Sequence, residues 1–269
     1  MRWLTILLSL LWLPAAPVSA QLLHSNAAGV SSGHLHMLVR NPEAHKKIWV
    51  ESLGAEVVKS GSLELLKLRG IFLVLEKAEP VGGSEGSSVD HFAFRAKDLP
   101  AIKAKLIAAG VPITREDERE IVTMFPDKVK VEFYNSPAIT GSLQHYHVHF
   151  YTTDPEALRA WYTKHFGAQT ITERDATITF VPGIVFNFRK VDKPQAATKG
   201  RSLDHIGLEV KGLEAFSKKL AAEGVVFDRP FRNEPGIGLK TAVVIDPVGT
   251  RIELTEGLPR DFTERLPGR

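Results

Sequence analysis

The sequence predicts an α+β protein made of four β-α-β-β-β units in tandem. Three observations predict it. The chain repeats itself at about half its length, and each half divides again into two units with the same order of strand and helix signals. The composition, 43% hydrophobic and 24% charged, is that of an ordinary globular protein and excludes a disordered, collagen-like or coiled-coil chain.

The repeat is read residue by residue. At a shift of 113, His34, His36, Pro42, Glu43, Ala44, Gly54, Ala55, Gly70 and Ile71 fall on His147, His149, Pro155, Glu156, Ala157, Gly167, Ala168, Gly183 and Ile184. Further along the shift becomes 114, where Asp90-His91 meets Asp204-His205 and Val111 meets Val225. Each first unit opens with an alternating strand (34–40 in the first half). Asn41 or Asp154 then caps a helix that has Pro42 or Pro155 at its first position. Gly54 and Gly167 stand where a helix end needs a left-handed residue. Short strands follow at 63–68 and 71–77, or at 170–173, 177–181 and 184–190. Each second unit has a strand (90–96 or 204–210) and a helix (99–109 or 212–223) stopped by Gly110 or Gly224. Strands at 120–125 and 129–134, or 239–245 and 250–255, complete it. The stretches 79–88 and 192–202 read as solvated loops, and 135–142 as the junction of the halves. This gives a domain of units one and two (31–136), a domain of units three and four (143–257) and a tail (258–269).

Residues 1–20 read as an address. Arg2, the apolar run Leu4–Leu13 and the small residues Val18-Ser19-Ala20 match a secretory signal cleaved after Ala20. Ten apolar residues are too few to span a bilayer core of about 30 Å, which needs about 20. The expectation is an exported protein, periplasmic or secreted, free of the membrane after cleavage. With 34 Lys+Arg against 31 Asp+Glu and no basic cluster, a nucleic-acid partner is not expected. There is no cysteine, so any metal must be held by His and carboxylate.

Histidines and carboxylates recur at equivalent places. His34 and His147 open the first strand of each half, His91 and His205 the strand of the next unit, and Glu132 and Glu253 lie in each last strand. Period-two alternation sets His147, His149 and Tyr151 opposite Val148 and Phe150. It likewise sets His91 and His205 opposite Phe92 and Ile206, and Glu132 and Glu253 opposite Val131 and Ile252. Two His and one Glu per half then face one polar cup. That donor set leaves open positions on a metal, the pattern of non-heme Fe(II) oxygenases; Mn or Zn also accepts it. His36 and His149, one pleat further on, read as liners of the cup, with ligand support or acid–base work as alternatives. His45 and His165 belong to helices, and His24 and His145 to the surface.

The segments HVHFYTTDP (147–155), WYTKHFGA (161–168), LDHIGLEV (203–210) and DPVGTRIEL (246–254) resemble the vicinal oxygen chelate superfamily of glyoxalases, bleomycin-resistance proteins and extradiol dioxygenases. The likeness covers the mature chain and is clearer in its second half. It implies that the four modules pair into two open, cup-like barrels. It also implies metal ligands His147, His205 and Glu253, with His34, His91 and Glu132 as a second set. Pairing the first module with the second, or with the fourth, assembles two His and one Glu either way. The place of the fourth ligand of glyoxalase-type enzymes falls near Val74 and Asn187, so the likeness is closer to the three-ligand dioxygenases. The Tyr and upstream His that those enzymes carry near the Asp-Pro turn are replaced here by Val243 and the 233–239 stretch. His149 and Tyr151 are candidate substitutes as acid and base. Phe125-Pro126-Asp127-Lys128 stands in place of Asp-Pro-x-Gly in the first half. The expected function is that of a metal-dependent enzyme, Fe(II) or Mn(II) before Zn(II), that chelates vicinal oxygens of a small organic substrate in dioxygenase fashion. A glyoxalase-type lyase or isomerase and a non-catalytic binder of the resistance type are the alternatives. Monomer and homodimer both remain open.

Overall fold

Each unit begins with a strand that crosses the middle of a sheet. In this computed structural model, residues 22–173 and 176–259 are described; the expected signal (1–20) and most of the tail (260–269) lie outside them. Unit one has β1 (Val30–Val39), α1 (Pro42–Lys46, running on as a π-helical turn over Lys47–Ser52), β2 (Glu56–Ser60), β3 (Leu63–Leu68) and β4 (Ile71–Lys77). Unit two has β5 (Val89–Ala96), α2 (Leu99–Ala108), β6 (Ile113–Glu116), β7 (Glu120–Phe125) and β8 (Val129–Asn135). Unit three has β9 (Leu143–Thr152), α3 (Pro155–Phe166), β10 (Gln169–Glu173), β11 (Ala176–Val181) and β12 (Ile184–Lys190). Unit four has β13 (Leu203–Val210), α4 (Leu213–Ala222), β14 (Val226–Glu234), β15 (Leu239–Ile245) and β16 (Arg251–Glu256).

The caps follow the sequence. Asn41, Asp98 and Asp154 each accept a hydrogen bond from the backbone N–H three residues on. Gly212 has no side chain to do this for α4. The Glu256 carboxylate takes its place, accepting from Gly212 N and Leu213 N at 3.2 and 3.1 Å. The strands β2, β6 and β14 were not foreseen. They are the outer strands of their units, short or largely exposed, so they lack the apolar alternation that marks the others.

The two sheets run β14-β15-β16-β13-β1-β4-β3-β2 and β10-β11-β12-β9-β5-β8-β7-β6. In each, the first strands of two units pair antiparallel at the centre, and each is flanked in parallel by the last strand of its own unit. The sheets curl into open cups. Unit one shares its sheet with unit four, and unit two with unit three. This corrects the division of the cups at the 135–142 junction: 31–136 and 143–257 are repeats of the sequence, and each supplies half of both cups.

Helices tie together the units that share no sheet. Trp49, fully buried in the turn after α1, lies with its ring centroid 4.7 Å from Phe125 and 5.7 Å from Phe94, both of unit two. Across the other half, Tyr162 of α3 donates to Asp246 at 3.1 Å and Phe166 stacks on Phe216 of α4 at 6.3 Å. One hydrophobic core therefore runs through all four units.

The unit one–four cup is bridged at its mouth. In the unit one–four cup, Ser62 N donates to Gly236 O at 3.0 Å and Ser60 Oγ to Ile237 O at 2.6 Å, joining the β2–β3 turn to the β14–β15 turn. Gly61 between them, at φ 55°, leaves no room for a Cβ against Gly236.

Trp49→Ala removes the largest side chain that binds unit one to unit two outside the sheets. It is expected to lower unfolding free energy by about 3–5 kcal/mol. A shift in the urea midpoint, followed by circular dichroism at unchanged m-value, measures it; a loss under about 1 kcal/mol would contradict this packing role.

Candidate metal centres

The donor residues converge because the central strands are bulged. Asp90 on β5 and Asp204 on β13 are each the extra residue of a β-bulge, standing just before His91 and His205. A bulge lets neighbouring side chains share a side, which strict alternation forbids. Each carboxylate therefore reaches the imidazole beside it: Asp90 Oδ1 to His91 Nδ1 at 2.6 Å, and Asp204 Oδ1 to His205 Nδ1 at 2.5 Å. The aspartates are braced in turn. Lys130 Nζ and Gly86 N donate to Asp90 at 2.8 and 3.2 Å; Arg251 and Gly200 N donate to Asp204, the latter at 2.6 Å. With Nδ1 engaged, Nε2 of each ring points to the floor of its cup.

Glu132 and Glu253 are fixed in the same way. Arg115 and Arg229, from the outer strands β6 and β14, hold Oε1 of Glu132 and Glu253 respectively. Oε2 is left facing inward. His34 and His147 come from β1 and β9, each beside a further bulge. A Cβ at Gly207 would overlap the His34 ring, so the glycine opens the space that this imidazole fills.

Two clusters result: His34, His36, His205 and Glu253 in the unit one–four cup, and His91, His147, His149 and Glu132 in the unit two–three cup. The six residues expected as ligands all reach a cup floor, but in exchanged company. His147 joins His91 and Glu132, and His34 joins His205 and Glu253, because the sheets form across the halves. Nε2 of His34 and His205 lie 3.1 and 3.2 Å from Glu253 Oε2. Nε2 of His91 and His147 both lie 3.3 Å from Glu132 Oε2, and that of His149 lies at 3.8 Å.

His205 Nε2 and Glu253 Oε2 hydrogen-bond to each other at 3.2 Å, and the other donor atoms converge on a shared space. Nε2 of His34, His91 and His147 and Oε2 of Glu132 are buried, yet none makes a hydrogen bond of good geometry. In each cluster the four donor atoms lie within 4.8 Å of one another. A divalent ion about 2.0–2.2 Å from each such ligand fits that spacing. Buried polar groups without partners are uncommon, and a bound cation satisfies all of them together. The residues present therefore fit a metal.

His36 and His149 each stand close enough to offer a fourth donor to its cluster. His36 stacks on His205 at 4.3 Å and bonds Glu76 Oε2 through Nε2 at 2.9 Å. His149 stacks on His91 at 4.2 Å, and Asn187 Nδ2 lies 3.2 Å from its Nε2. Tyr151 is set apart from the donors and lines the cavity above His149. His145, expected at the surface, is buried: the bulge at Tyr146 inverts the alternation and turns it toward Phe94, where its Nδ1 faces Gly183 O at 3.2 Å. His45 and His165 are buried on their helices beside Asp127 and Glu223. The Pro126–Lys128 turn holds its shape without glycine, Asp127 and Lys128 taking left-handed angles while Arg40 and His45 hold the Asp127 carboxylate.

Protonation follows burial and partners. Burial lowers His34 and His147 below the ordinary imidazole range against the pull of the nearby glutamate. It takes His36 and His145 down to about 4 and His149 to about 2. Burial acts the same way on His91 and His205, but the paired aspartate and glutamate outweigh it and raise both. For Glu132 and Glu253 burial opposes ionisation, and the surrounding imidazoles more than reverse it, holding both well below the carboxylate range. Neutral imidazoles and an ionised carboxylate are the states a metal needs.

The aspartates and arginines were missed as site residues. The signal for them was the repeat itself, since Arg115 and Arg229 stand 114 apart like His91 and His205, and Lys130 and Arg251 stand 121 apart like Glu132 and Glu253.

Residues 144–254, from β9 to β16, match the Glyoxalase/Bleomycin resistance protein/Dioxygenase superfamily. The match lies in the second half of the chain, units three and four. Glyoxalase I from Zea mays has a similar fold, with a TM-score of 0.67 at 17% identity over 84% of this chain and 92% of that one. A dioxygenase candidate from Bacillus subtilis superposes with a TM-score of 0.60 at 14% identity, over 85% and 86% of the two chains. At these identities the likeness shows the same fold, over both halves of the chain. No curated protein sequence matches the chain.

Two outcomes are expected. Gly207→Ala displaces the His34 ring and should lower the metal capacity of the protein by one site while the other is kept, read by equilibrium dialysis with Zn(II) or Mn(II). Unchanged capacity would show that His34 is dispensable. The metal-free protein should also lose stability between pH 6.5 and 5. His36, His145 and His149 stay neutral in the fold there, while the unfolded chain takes up protons below 6.5. His91 and His205, shifted upward, add their stabilisation as the pH falls to 6.5 and change little below it, and Glu132 and Glu253 begin to contribute only below 4.5. Each unopposed imidazole costs about 1.4 kcal/mol per pH unit. Urea midpoints at a series of pH values give the slope; a flat profile would mean that these histidines are protonated in the fold.

Proposed function

We propose that this protein is an exported metal-dependent enzyme that binds vicinal oxygens of a small organic substrate at a divalent ion in each cup. The observation that carries the reading is the convergence, twice in one chain, of imidazole and carboxylate donor atoms within 4.8 Å of one another, with Nε2 of His34, His91 and His147 and Oε2 of Glu132 left without a hydrogen-bond partner. When bound, the ion supplies Lewis acidity and, if it is Fe(II) or Mn(II), a place for O2 beside the substrate.

The residues of the chain supply the rest. Asp90 and Asp204 fix the tautomer of His91 and His205, with the proton on Nδ1, so that Nε2 carries the lone pair. Arg115 and Arg229 occupy one oxygen of each glutamate and favour one-oxygen coordination, which keeps positions free for a two-oxygen ligand. Burial raises Tyr151, so its phenol stays protonated at neutral pH and can donate to a substrate oxygen. His149 lies at the cluster itself, so Tyr151 is the better placed of the two to serve as the acid. The twenty-residue leader supports export, to the periplasm or medium.

A glyoxalase-type lyase or isomerase is the second reading. It is favoured by the fourth donor, His36 or His149, which moves each cluster from three ligands toward four.

Elemental mass spectrometry of the mature protein should find about two metal equivalents, and one in each of His205→Ala and His91→Ala. Fe or Mn, with oxygen uptake on addition of a catechol, supports the dioxygenase reading; Zn or Ni, with no uptake, supports the lyase or isomerase. A protein that holds no metal and takes none up on reconstitution would be a binding protein instead.

A further inference from the structure

The duplication allows the two cups to be compared position by position, and their walls have opposite character. The unit two–three cup holds a cavity of about 610 Å³ walled by charged and phenolic groups; the unit one–four cup holds about 290 Å³. Around the smaller cavity Leu65, Val74, Leu239 and Leu258 form an apolar cluster separate from the main core. The sharpest difference lies on the strand beside the first strand. His34, His36 and Leu38 on β1 stand against Phe72, Val74 and Glu76 on β4, as His147, His149 and Tyr151 on β9 stand against Val185, Asn187 and Arg189 on β12. Val74 is thus replaced by Asn187, and the Glu76 carboxylate by the Arg189 guanidinium.

The other cations of the larger cavity are neutralised inside the protein. Arg115 pairs with Glu120 and Glu132, and Lys130 with Asp90 and Glu85. Arg189 lines the same cavity, and its guanidinium, on an exposed residue, makes no hydrogen bond or ion pair among the described residues. It stands beside Tyr151 and two residues beyond Asn187, which touches His149. On the opposite sheet the corresponding Glu76 is exposed and tied to His36, outside the lining of the smaller cavity.

Resting on the reading of both cups as metal-bound chelators of vicinal oxygens, we infer that they take different substrates: the unit two–three cup an anionic one, whose carboxylate is gripped by Arg189, and the unit one–four cup a neutral, apolar one. A guanidinium without a partner at a cavity wall gives a planar carboxylate a two-bond match that a lysine would not. The leucine walls of the smaller cavity, where the one arginine is already paired with Glu253, disfavour the same anion.

Isothermal titration calorimetry of the metal-loaded full protein with 3,4-dihydroxybenzoate and with 4-methylcatechol tests this. The expected result is one equivalent of 3,4-dihydroxybenzoate per chain. Arg189→Gln should weaken it about tenfold, with partial recovery in Arg189→Lys, while 4-methylcatechol affinity and metal content stay unchanged. Equal 3,4-dihydroxybenzoate affinity in Arg189→Gln overturns the inference, as do two equivalent sites for it in the unmodified protein. If metal is bound but neither probe is, the inference falls and the metal sites stand. If no metal is bound, the functional reading falls and this inference with it.

Discussion

One carboxylate, stripped of water at the floor of each cup, is the constraint around which the rest is arranged. An ionised glutamate in such a place loses several kcal/mol of hydration unless cations and donors surround it. Glu132 and Glu253 meet that demand with an arginine on one oxygen and imidazoles around the other. The imidazoles come from two different units, so two central strands must lie side by side. The arginine comes from an outer strand, so the sheet must curl far enough to bring its edge back over the floor. The bulges at Asp90 and Asp204 then aim the histidines, and Gly207 clears space for a third ring.

Assembly across the halves has a mechanical result. Sheets join unit one to four and two to three, while helices join one to two and three to four. Every unit is therefore bonded along two different directions, and no single cut separates a complete cup from the other. Loss of order in either half removes donors from both clusters together, so the two centres stand or fall as one. Superfamily folds hold many chemistries on such a frame, and the site rather than the frame decides which.

Much of this was legible in the sequence because duplication supplies an internal comparison. The repeat located His34, His91, His147 and His205 with their glutamates, and the Asn41, Asp98 and Asp154 caps follow from local rules that each helix obeys. What stayed hidden depends on long-range geometry. Which units share a sheet is decided by packing between segments a hundred residues apart, and the sequence shows the same pattern for either choice. The bulges were hidden because alternation counts every residue, whereas a bulge skips one; His145 was misplaced for that reason. The outer strands β2, β6 and β14 have little apolar face to announce them, and the arginines they carry went unread as site residues with them.

The bridge between the β2–β3 and β14–β15 turns closes a circuit in the unit one–four sheet. Three hydrogen bonds cross it, from Ser62 N, Ser62 Oγ and Ser60 Oγ, each contributing about 1 kcal/mol net. Strands at opposite ends of an eight-stranded order are thereby held together, so a ribbon that its own pairing leaves open is fastened like a hoop, with a single glycine between two serines as the clasp.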